Sequence, residues 1–197
     1  KLITKEITNL EKFLKKSDGQ IAQIRECYSN YPDEVKELID PIDMSDEDYA
    51  KMWQSVIYTP KPISGEMSYQ KTERGEIVRS KSELNIANAL YRAGIPYRYE
   101  CPLRLQSGKV IHPDFMVLNV RKRKVFYWEH RGMMDDREYV RHSVLRIKEY
   151  GRNDIYVGNN LIITEESSTV PLGTDEIKGI INLTNVLFDT RYNNKVI

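Results

Sequence analysis

The sequence predicts an α/β fold with a mixed sheet, preceded by a small helical region. Between residues 80 and 164 the hydrophobic pattern runs helix, strand, strand, strand, helix, strand, an αβββαβ order. One acid falls on the first helix, one on the second strand and one on the third strand: Glu83, Asp114 and Glu129. We divide the chain into a helical N-terminal region with a linker, residues 1–74, and an α/β domain, residues 75–197.

The N-terminal region has the apolar spacing of short helices. Apolar residues recur at helical spacing over 7–14 and again over 21–28. The cluster Ser17-Asp18-Gly19 between them is expected to end the first helix, because glycine and short polar residues favour turns. Pro32 is expected to open a third helix through Leu38 and Ile39. These residues therefore predict three short helices.

A fourth helix and a linker complete this region. Ser45 followed by three acids predicts a cap that leads into a helix with Trp53 on its apolar face. The stretch 59–75 is rich in Pro, Gly, Ser and charge, so we place the linker there. Nothing in residues 1–74 specifies chemistry. A helical collar and a partner-docking element both remain open.

The α/β domain is bounded by clear start and stop signals. Its first helix begins near Ser80 and stops at Gly94, and Pro102 bends the first strand or places it at an edge. The predicted elements are a helix over 80–93, strands over 97–105, 110–118 and 124–130, a helix over 135–150, a strand over 161–164 and a helix from Thr174 to Leu183.

Composition excludes several classes of protein. No apolar run is long enough to cross a bilayer and no signal peptide is visible, so we expect a cytoplasmic protein without membrane contact. Cys27 and Cys101 match no ligand spacing, which favours two reduced thiols. The net charge is −3 in residues 1–74 and +4 in residues 75–197, which suits a polyanion partner for the second part. The chain begins at Lys1 without methionine, and we expect a piece of a longer protein.

Strand alternation is expected to bring two of the acids together. Asp114 shares a strand face with His112, and Glu129 shares one with Tyr127. If the two strands are neighbours, the carboxylates lie side by side and repel unless a cation sits between them. Hard oxygen ligands of this kind suit Mg²⁺ or Mn²⁺.

Each charged residue also fits a structural or solvent-facing role. Ser80-Lys81-Ser82-Glu83 fits a helix capping box, and Asp114 could be an ordinary turn acid after Pro113. Glu129 is harder to explain as structural, because a carboxylate in an aromatic strand is costly without compensation. The run Arg121–Lys124 fits a solvated hairpin tip better than a DNA clamp. The three histidines are too scattered to predict a zinc site: His112, His130 and His142.

These segments together resemble the PD-(D/E)xK, or restriction endonuclease-like, nuclease superfamily over roughly residues 76–185. The matching pieces are Ser82-Glu83-Leu84, Pro113-Asp114-Phe115 and Trp128-Glu129-His130-Arg131-Gly132. The following residues resemble the branch close to very-short-patch repair endonucleases and helicase-linked nuclease domains: Gly132-Met133-Met134, Tyr139, Arg146, Tyr150 and Leu161-Ile162-Ile163-Thr164. Their order and spacing carry the resemblance, since each piece alone is weak.

The resemblance implies a Mg²⁺- or Mn²⁺-dependent endonuclease that hydrolyses phosphodiester bonds in DNA. Asp114, Glu129 and the backbone carbonyl of His130 would bind the metal, and Glu83 would contact it through water or orient the nucleophile. The superfamily's lysine falls at Arg131, which can stabilise charge on a phosphate but does not lose its proton to act as a base.

The second helix of the domain adds a possible DNA contact. Basic residues lie on or near one stripe of it, where the superfamily places this helix near DNA: Arg137, Arg141 and Lys148. A solvated helix face explains them equally well. Two alternatives to an active nuclease stay open, a degenerate nuclease-fold domain that binds nucleic acid or protein without cutting, and a module of a larger helicase or restriction system.

Overall fold

The computed structural model describes residues 2–36, 44–61 and 69–188. The backbone divides into two compact units, Lys1–Asp48 and Tyr49–Ile197. The division of the chain into residues 1–74 and 75–197 stays a prediction. Among the described residues, no helix combines the length and apolar character required to cross a bilayer.

A single long helix forms most of the first unit. Helix α1 spans Leu2–Ser29 without a break, so the predicted interruption at Ser17-Asp18-Gly19 is wrong. A glycine in a helix interior costs only about 1 kcal/mol, and serine and aspartate cost less, so these residues do not stop a helix. The short α2 spans Asp33–Lys36, and its predicted continuation through Leu38 and Ile39 lies outside the described residues.

Helix α3 spans Asp46–Ser55, and its predicted cap is confirmed. The Ser45 Oγ accepts a hydrogen bond from the Asp48 backbone N–H at 3.1 Å. Trp53, on the apolar face of this helix, is buried. Ser45 therefore satisfies one of the free N–H groups of the first turn.

A small hairpin overlaps the end of the stretch predicted as a linker, of which residues 62–68 lie outside the described residues. Strands β1, Gln70–Lys71, and β2, Ile77–Val78, pair antiparallel. Gly75 makes the turn with φ of 99°, a backbone conformation that glycine adopts without strain. The linker prediction is wrong for this part of the chain, because the strands are too short and polar to show alternation.

The second unit is built on a mixed four-stranded sheet. Its elements, in chain order, are α4 Lys81–Arg92, β3 Tyr97–Tyr99, β4 Leu103–Arg104, β5 Val110–Ile111, β6 Phe115–Asn119, β7 Lys124–Arg131, α5 Arg137–Gly151, β8 Leu161–Glu165 and α6 Thr174–Phe188. The sheet order is β3-β6-β7-β8. Its first two pairings are antiparallel and β7 pairs with β8 in parallel, as a crossover through α5 requires.

Two predicted strands are each split. The strand expected over 110–118 divides into β5 and β6 at Pro113, because proline cannot donate a hydrogen bond to a strand ladder. The strand expected over 97–105 divides into β3, at the sheet edge, and β4. Glu100 separates these two with φ of 46°. β4 and β5 pair with each other in a separate ribbon, which leaves Asp114 at the entrance to β6.

Helices cover both faces of the sheet. On one face Phe115, Val117 and Trp128 pack with buried residues of α4 and α6, such as Ile86 and Ile177. On the other face, small clusters join sheet residues to Tyr150 of α5 and Trp53 of α3; these include Met116, Leu118, Tyr127 and Leu161. Glu129 shares the α5 face with Tyr127, since side chains alternate along β7.

Candidate active site

The sheet register places Asp114 opposite Glu129. Phe115 of β6 pairs with Trp128 of β7, and continuing this register by one residue sets Asp114 opposite Glu129. The backbone N–H of His130 donates to Asp114 Oδ2 at 2.7 Å, which continues the contact between the two strands. The two carboxylates therefore meet on the α5 face of the sheet, at the end of β7.

Asp114 is held in conditions that disfavour its charge. Burial raises the pKa of its carboxyl group, and the negative charges of Glu129 and Glu83 raise it further. The hydrogen bond from His130 N–H and the charge of Arg146 act in the opposite direction but do not offset the rise. Glu129 and Glu83 are therefore both close enough to Asp114 to act on it electrostatically.

Glu129 is bound to the protein through one oxygen. Its Oε1 accepts hydrogen bonds from Arg146 Nε at 2.9 Å and Nη2 at 2.8 Å, and from the Tyr150 hydroxyl. The Glu129 side chain is only 12% exposed. Arg146 also donates to the backbone carbonyl of His112, so it joins α5, β7 and the segment before Asp114. No hydrogen bond from the described residues occupies Glu129 Oε2.

Glu83 lies in the first turn of α4, where it can serve both as a helix-capping residue and as an acid of the site. Ser80 Oγ accepts a hydrogen bond from the Glu83 backbone N–H at 3.1 Å, as in a helix cap. The Glu83 carboxylate does not return to Ser80 as a capping box requires. Its Oε2 accepts instead from the Arg79 backbone N–H at 2.9 Å and from the Tyr99 hydroxyl at 2.7 Å. This contact with Tyr99 ties Glu83 to the edge strand β3.

Arg131 occupies the position of the superfamily's lysine at the end of β7. Its side chain is 12% exposed and donates to Glu165 of β8 at 2.9 Å. Glu165 is itself half exposed, at 51%. Arg131 thus lies beside the acids with a partner that solvent can also reach.

The His130 side chain lies behind the sheet, on the face away from Glu129. It is 3% exposed, its Nδ1 is 3.1 Å from Thr164 Oγ1, and its Nε2 is 3.1 Å from Glu166 Oε1. Glu166 Oε2 accepts from Ser82 Oγ at 2.7 Å and from the Leu172 N–H at 3.1 Å. Sequence reasoning missed this cluster, because its members come from three distant segments.

The Glu166 carboxylate is the centre of this cluster. Burial would raise its pKa, but the hydrogen bonds from Leu172 N–H and Ser82, together with His130, hold the pKa below its usual value. Ser82 neighbours Glu83 and His130 neighbours Glu129. Glu166 therefore links the backbone segments that carry two of the three acids.

The acids open into a cavity of about 590 Å³ between the sheet and α5. Asp114 and Glu129 both line it. Basic side chains also lie on its walls: Lys61, Lys109, His112, Arg131, His142 and Arg146. Lys109 forms an ion pair with Glu149 of α5 at 2.8 Å. The cavity thus combines a pair of repelling carboxylates with several positive groups, an arrangement that suits a phosphate-bearing ligand.

One face of α5 lines the cavity and the opposite face carries the predicted DNA-binding stripe. Tyr139, His142 and Arg146 recur at helical spacing on the cavity side. At about 100° per residue, Arg137, Arg141 and Lys148 lie on the other side of the helix, and none of them lines the cavity. Arg141 instead lies 3.8 Å from Glu138. Any DNA contact by this stripe would be made away from the acids.

Sequence reasoning assigned no role to three α5 residues of the site, although the resemblance included them. Tyr139, Arg146 and Tyr150 are spaced by seven and four residues, so they share one helix face. Burial raises the pKa of Tyr139, and the charges of Asp114 and Glu129 act in the same direction. This spacing could have identified the three residues from the sequence, because polar residues that share a helix face with the apolar Ile147 are expected to face the sheet.

The donor set can be compared with the needs of a divalent cation. No group of three or more His, Cys, Asp or Glu side chains in the described parts of the chain is arranged to hold a metal ion. Asp114 and Glu129 remain as a pair, and each has one oxygen hydrogen-bonded to the protein. Mg²⁺ is commonly held by one or two carboxylates and keeps several of its waters. The pair therefore fits Mg²⁺ or Mn²⁺ but not a cation that needs an all-protein cage.

Comparisons with known proteins leave the chain unassigned. The chain matches no protein family model. Over 68 residues, 34% of this chain, it is 40% identical to the Methanocaldococcus jannaschii protein named "Uncharacterized protein MJ1519", and it covers 6% of that protein's length. A chain in the cryo-electron microscopy structure of the DrdV–DNA complex has a TM-score of 0.33 and 14% identity, over 58% of this chain and 12% of that one. Similarity at this level assigns neither a fold family nor a function.

Proposed function

We propose that this chain is a metal-dependent nuclease that hydrolyses phosphodiester bonds in DNA, on a restriction endonuclease-like core. The core would be formed by α4, β3, β6, β7, α5 and β8, the αβββαβ series that the sequence predicts. The observation that carries the proposal is the pair Asp114 and Glu129, opposite each other in the sheet and lining one cavity. Asp114 has a raised pKa, to which its burial and the second charge beside it both contribute.

A divalent cation would relieve this repulsion. Two carboxylates that disfavour each other's charge contribute nothing to stability by themselves, so their presence on one cavity wall needs a functional reason. Asp114, Glu129 and the backbone carbonyl of His130 would hold Mg²⁺ or Mn²⁺, with water completing the coordination. Such an ion supplies polarisation of a phosphate oxygen and a more acidic bound water.

Other residues of the chain would orient the two carboxylates and stabilise the negative charge of the phosphate. Arg146 and Tyr150 bind Glu129 through Oε1, which leaves Oε2 without a hydrogen bond from the described residues. Arg131 lies beside the acids and can donate to a phosphate in two hydrogen bonds, although its guanidinium cannot accept a proton. Glu83 is held by Tyr99 and would act on the site through its charge and through water.

His130 is not a suitable base. Its ring is buried behind the sheet beside Thr164 and Glu166, on the face away from Glu129. Activation of the attacking water would therefore depend on the cation and the carboxylates rather than on a titrating histidine or lysine at the end of β7.

The second candidate function is a degenerate nuclease-fold domain that binds nucleic acid or protein without cutting. Two contacts favour it: Arg146 already neutralises Glu129, and Arg131 is paired with Glu165. Under this proposal the acid pair is satisfied from within the protein and a cation is not required. A helicase or restriction-system partner stays a prediction under either proposal.

Cleavage of supercoiled plasmid in Mg²⁺ or Mn²⁺ tests the first function. The expected result is nicking that EDTA removes and that both Asp114→Asn and Glu129→Gln reduce by a factor of about 10² or more. Asp175→Asn is the matched control, because Asp175 is an exposed acid on α6, with its side chain 98% exposed. Equal cleavage by the Asp114→Asn protein and its parent would show that the site assignment is wrong.

Binding separates the two functions when no cleavage occurs. A degenerate domain would bind DNA or a partner with no dependence on metal, and a calcium or manganese titration by calorimetry would give no heat at this site. Saturable metal binding that Glu129→Gln removes, without cleavage of double- or single-stranded DNA, would instead point to a metal site with a different substrate.

A further inference from the structure

The exposed apolar face of α1 carries a heptad pattern. This pattern is recognisable only because α1 is one continuous helix rather than the two short helices predicted from the sequence. Because α1 is continuous from Leu2 to Ser29, its apolar residues belong to a single heptad series along one helix. Five exposed apolar residues follow alternating spacings of three and four, with one gap of seven: Ile7, Leu10, Leu14, Ile21 and Ile24. Ser17 fills the position between Leu14 and Ile21, and Tyr28 continues the series. This is the a and d spacing of a coiled coil, with Ile7 at position a.

The seam, defined as these a and d residues, runs from Ile7 to Tyr28 of α1. The five apolar side chains are 40–66% exposed, so the described residues leave them open to solvent. From Ile7 to Tyr28 the seam covers 22 residues, about three heptads, and is about 33 Å long. A coiled coil requires about three to four heptads. A partner helix along the seam would bury the five exposed apolar side chains and the partly exposed Tyr28, so we expect an interface smaller than the roughly 800 Å² per partner of a standard complex.

The charges beside the seam indicate what kind of helix covers it. Positions e and g flank a coiled-coil seam and determine partner choice. They carry three acids and one base: Glu6, Glu11, Asp18 and Arg25. The part of the seam between Glu6 and Asp18 is therefore flanked by net negative charge. A partner with basic flanking residues would complement it.

A second copy of α1 would complement it poorly. In a parallel pair, position g faces position e of the next heptad on the other helix, so Glu6 would face Glu11. In a fully overlapping antiparallel pair, e faces e, so Glu11 would face Asp18. Neither arrangement pairs an acid with a base, and like charges across a helix interface disfavour association.

A lipid surface would also be complemented poorly. Helices that lie on membranes place Lys and Arg at the borders of their apolar face, where they meet anionic headgroups. Here the borders of the seam carry three acids and only one base, Arg25. The lysines of α1 lie farther round the helix: Lys5, Lys12, Lys15 and Lys16.

We propose that the seam of α1 is a docking site for a helix of another protein that carries apolar a and d residues and basic e and g residues. The site lies in the unit Lys1–Asp48 and is independent of the nuclease proposal. It gives the N-terminal region a role in partner recognition with a defined register. The partner is recognised by heptad spacing and by positive charge rather than by sequence-specific contacts.

Two designed peptides test this on the full 197-residue chain. Both have four heptads with Ile at a and Leu at d; one has Lys and the other has Glu at every e and g position. Fluorescence anisotropy at low salt is expected to show at least about tenfold tighter binding of the basic peptide, because three flanking acids change from repulsion to attraction. The difference should shrink at high salt as these charges are screened.

Matched variants separate seam and charge. Leu14→Asp should abolish peptide binding, and Gln23→Asp, on an exposed position outside the seam, should leave it unchanged. The triple variant Glu6→Lys, Glu11→Lys, Asp18→Lys keeps every seam residue and should reverse the preference between the two peptides. Circular dichroism of each variant checks that the helix content is retained.

Several results would overturn the proposal. Equal affinity for both peptides, or no reversal by the triple variant, would show that the flanking acids do not select a basic partner. Binding of neither peptide would show that the seam is not a docking site for a helix. Sedimentation of the chain alone as a dimer at tens of micromolar would make the face a self-interface. Sedimentation with phosphatidylcholine–phosphatidylglycerol vesicles, lost in Leu14→Asp, would assign it to a lipid surface.

Discussion

Replacing Arg146 with methionine tests the ion pair at the centre of the site. Methionine keeps a similar length but removes the charge and both hydrogen bonds to Glu129 Oε1. Removing one partner of a fully buried pair costs about 3–5 kcal/mol, because the other charge is left uncompensated. The Arg146 side chain keeps 35% exposure and Glu129 keeps 12%. Scaling by the buried two-thirds of Arg146 gives an expected loss of about 2–3 kcal/mol.

The measurement is urea denaturation followed by tryptophan fluorescence. Trp53 and Trp128 both lie in the unit Tyr49–Ile197, so the signal reports on the unit that holds the site. A loss of this size should also lower the thermal midpoint by about 4–10 °C. Arg141→Met is the matched control on the same helix, because the Arg141 side chain is 73% exposed; its expected cost is below about 0.5 kcal/mol.

A double-mutant cycle isolates the pair from other effects of the substitution. Arg146→Met combined with Glu129→Gln should cost about 2 kcal/mol less than the sum of the single changes, because the second change removes the charge that the first leaves unpaired. A coupling free energy near zero, or a loss for Arg146→Met no larger than that of Arg141→Met, would refute the reasoning. The contact would then be an exposed ion pair of little energetic value.

Three further predictions concern the groups around this pair. The pKa of the Asp114 carboxyl group is higher in the folded protein than in the unfolded chain. The contribution of this group to stability is therefore fully present below its unfolded pKa of ~3.9, and it is lost as the pH rises through the pKa of the folded state. Asp114→Asn should therefore raise the free energy of unfolding at neutral pH and flatten its decline with pH, in urea denaturation from about pH 4 to 8. Tyr150→Phe removes one hydrogen bond to a buried carboxylate and should cost about 1.5–3 kcal/mol by the same assay; a loss below that of Arg141→Met would mean that this bond contributes nothing. Glu166→Ala leaves the Leu172 N–H and Ser82 Oγ without their acceptor and should cost about 2–4 kcal/mol. The comparison is Asp175→Ala, at a side chain that is 98% exposed.

The antiparallel pairing of β6 and β7 was predictable from the sequence. The two strands are joined by a short turn, and turn length fixes the register of a hairpin. Once Asn119 pairs with Lys124, Asp114 must lie opposite Glu129. Alternation along β7 then places Glu129 and His130 on opposite faces, and the buried His130 ring lies behind the sheet. The position of the acid pair therefore follows from local rules.

The partners of the acid pair were not predictable by the same rules. Arg146 reaches Glu129 only because α5 crosses the sheet at one angle and depth, and periodicity does not encode either quantity. The cluster around Glu166 joins Ser82, His130 and Leu172, which are separated by as many as 90 residues in the chain. Contacts of this kind depend on the packing of whole layers, which a local pattern does not specify.

Weak local signals account for the remaining differences. The cluster Ser17-Asp18-Gly19 disfavours a helix by about 1–2 kcal/mol in total, and the neighbouring residues of α1 outweigh this cost. Pro113 has the opposite effect, since a missing N–H cannot be offset within a strand ladder. A single proline therefore splits a predicted strand, whereas a single glycine does not split a predicted helix.

Arg146 bears on the choice between a working nuclease and a degenerate domain. A cation site with two adjacent carboxylates would be unstable without its metal, so an internal positive group is useful to both kinds of protein. The two differ in how many carboxylate oxygens that group occupies. Arg146 and Tyr150 use Glu129 Oε1, and the His130 N–H uses Asp114 Oδ2. The contacts among described residues therefore take one oxygen of each acid and leave the second oxygen of each without a hydrogen bond. A domain that had lost its metal would have no reason to keep both acids on the wall of one cavity with one oxygen of each left without a hydrogen bond from the described residues, and this is why we favour the nuclease.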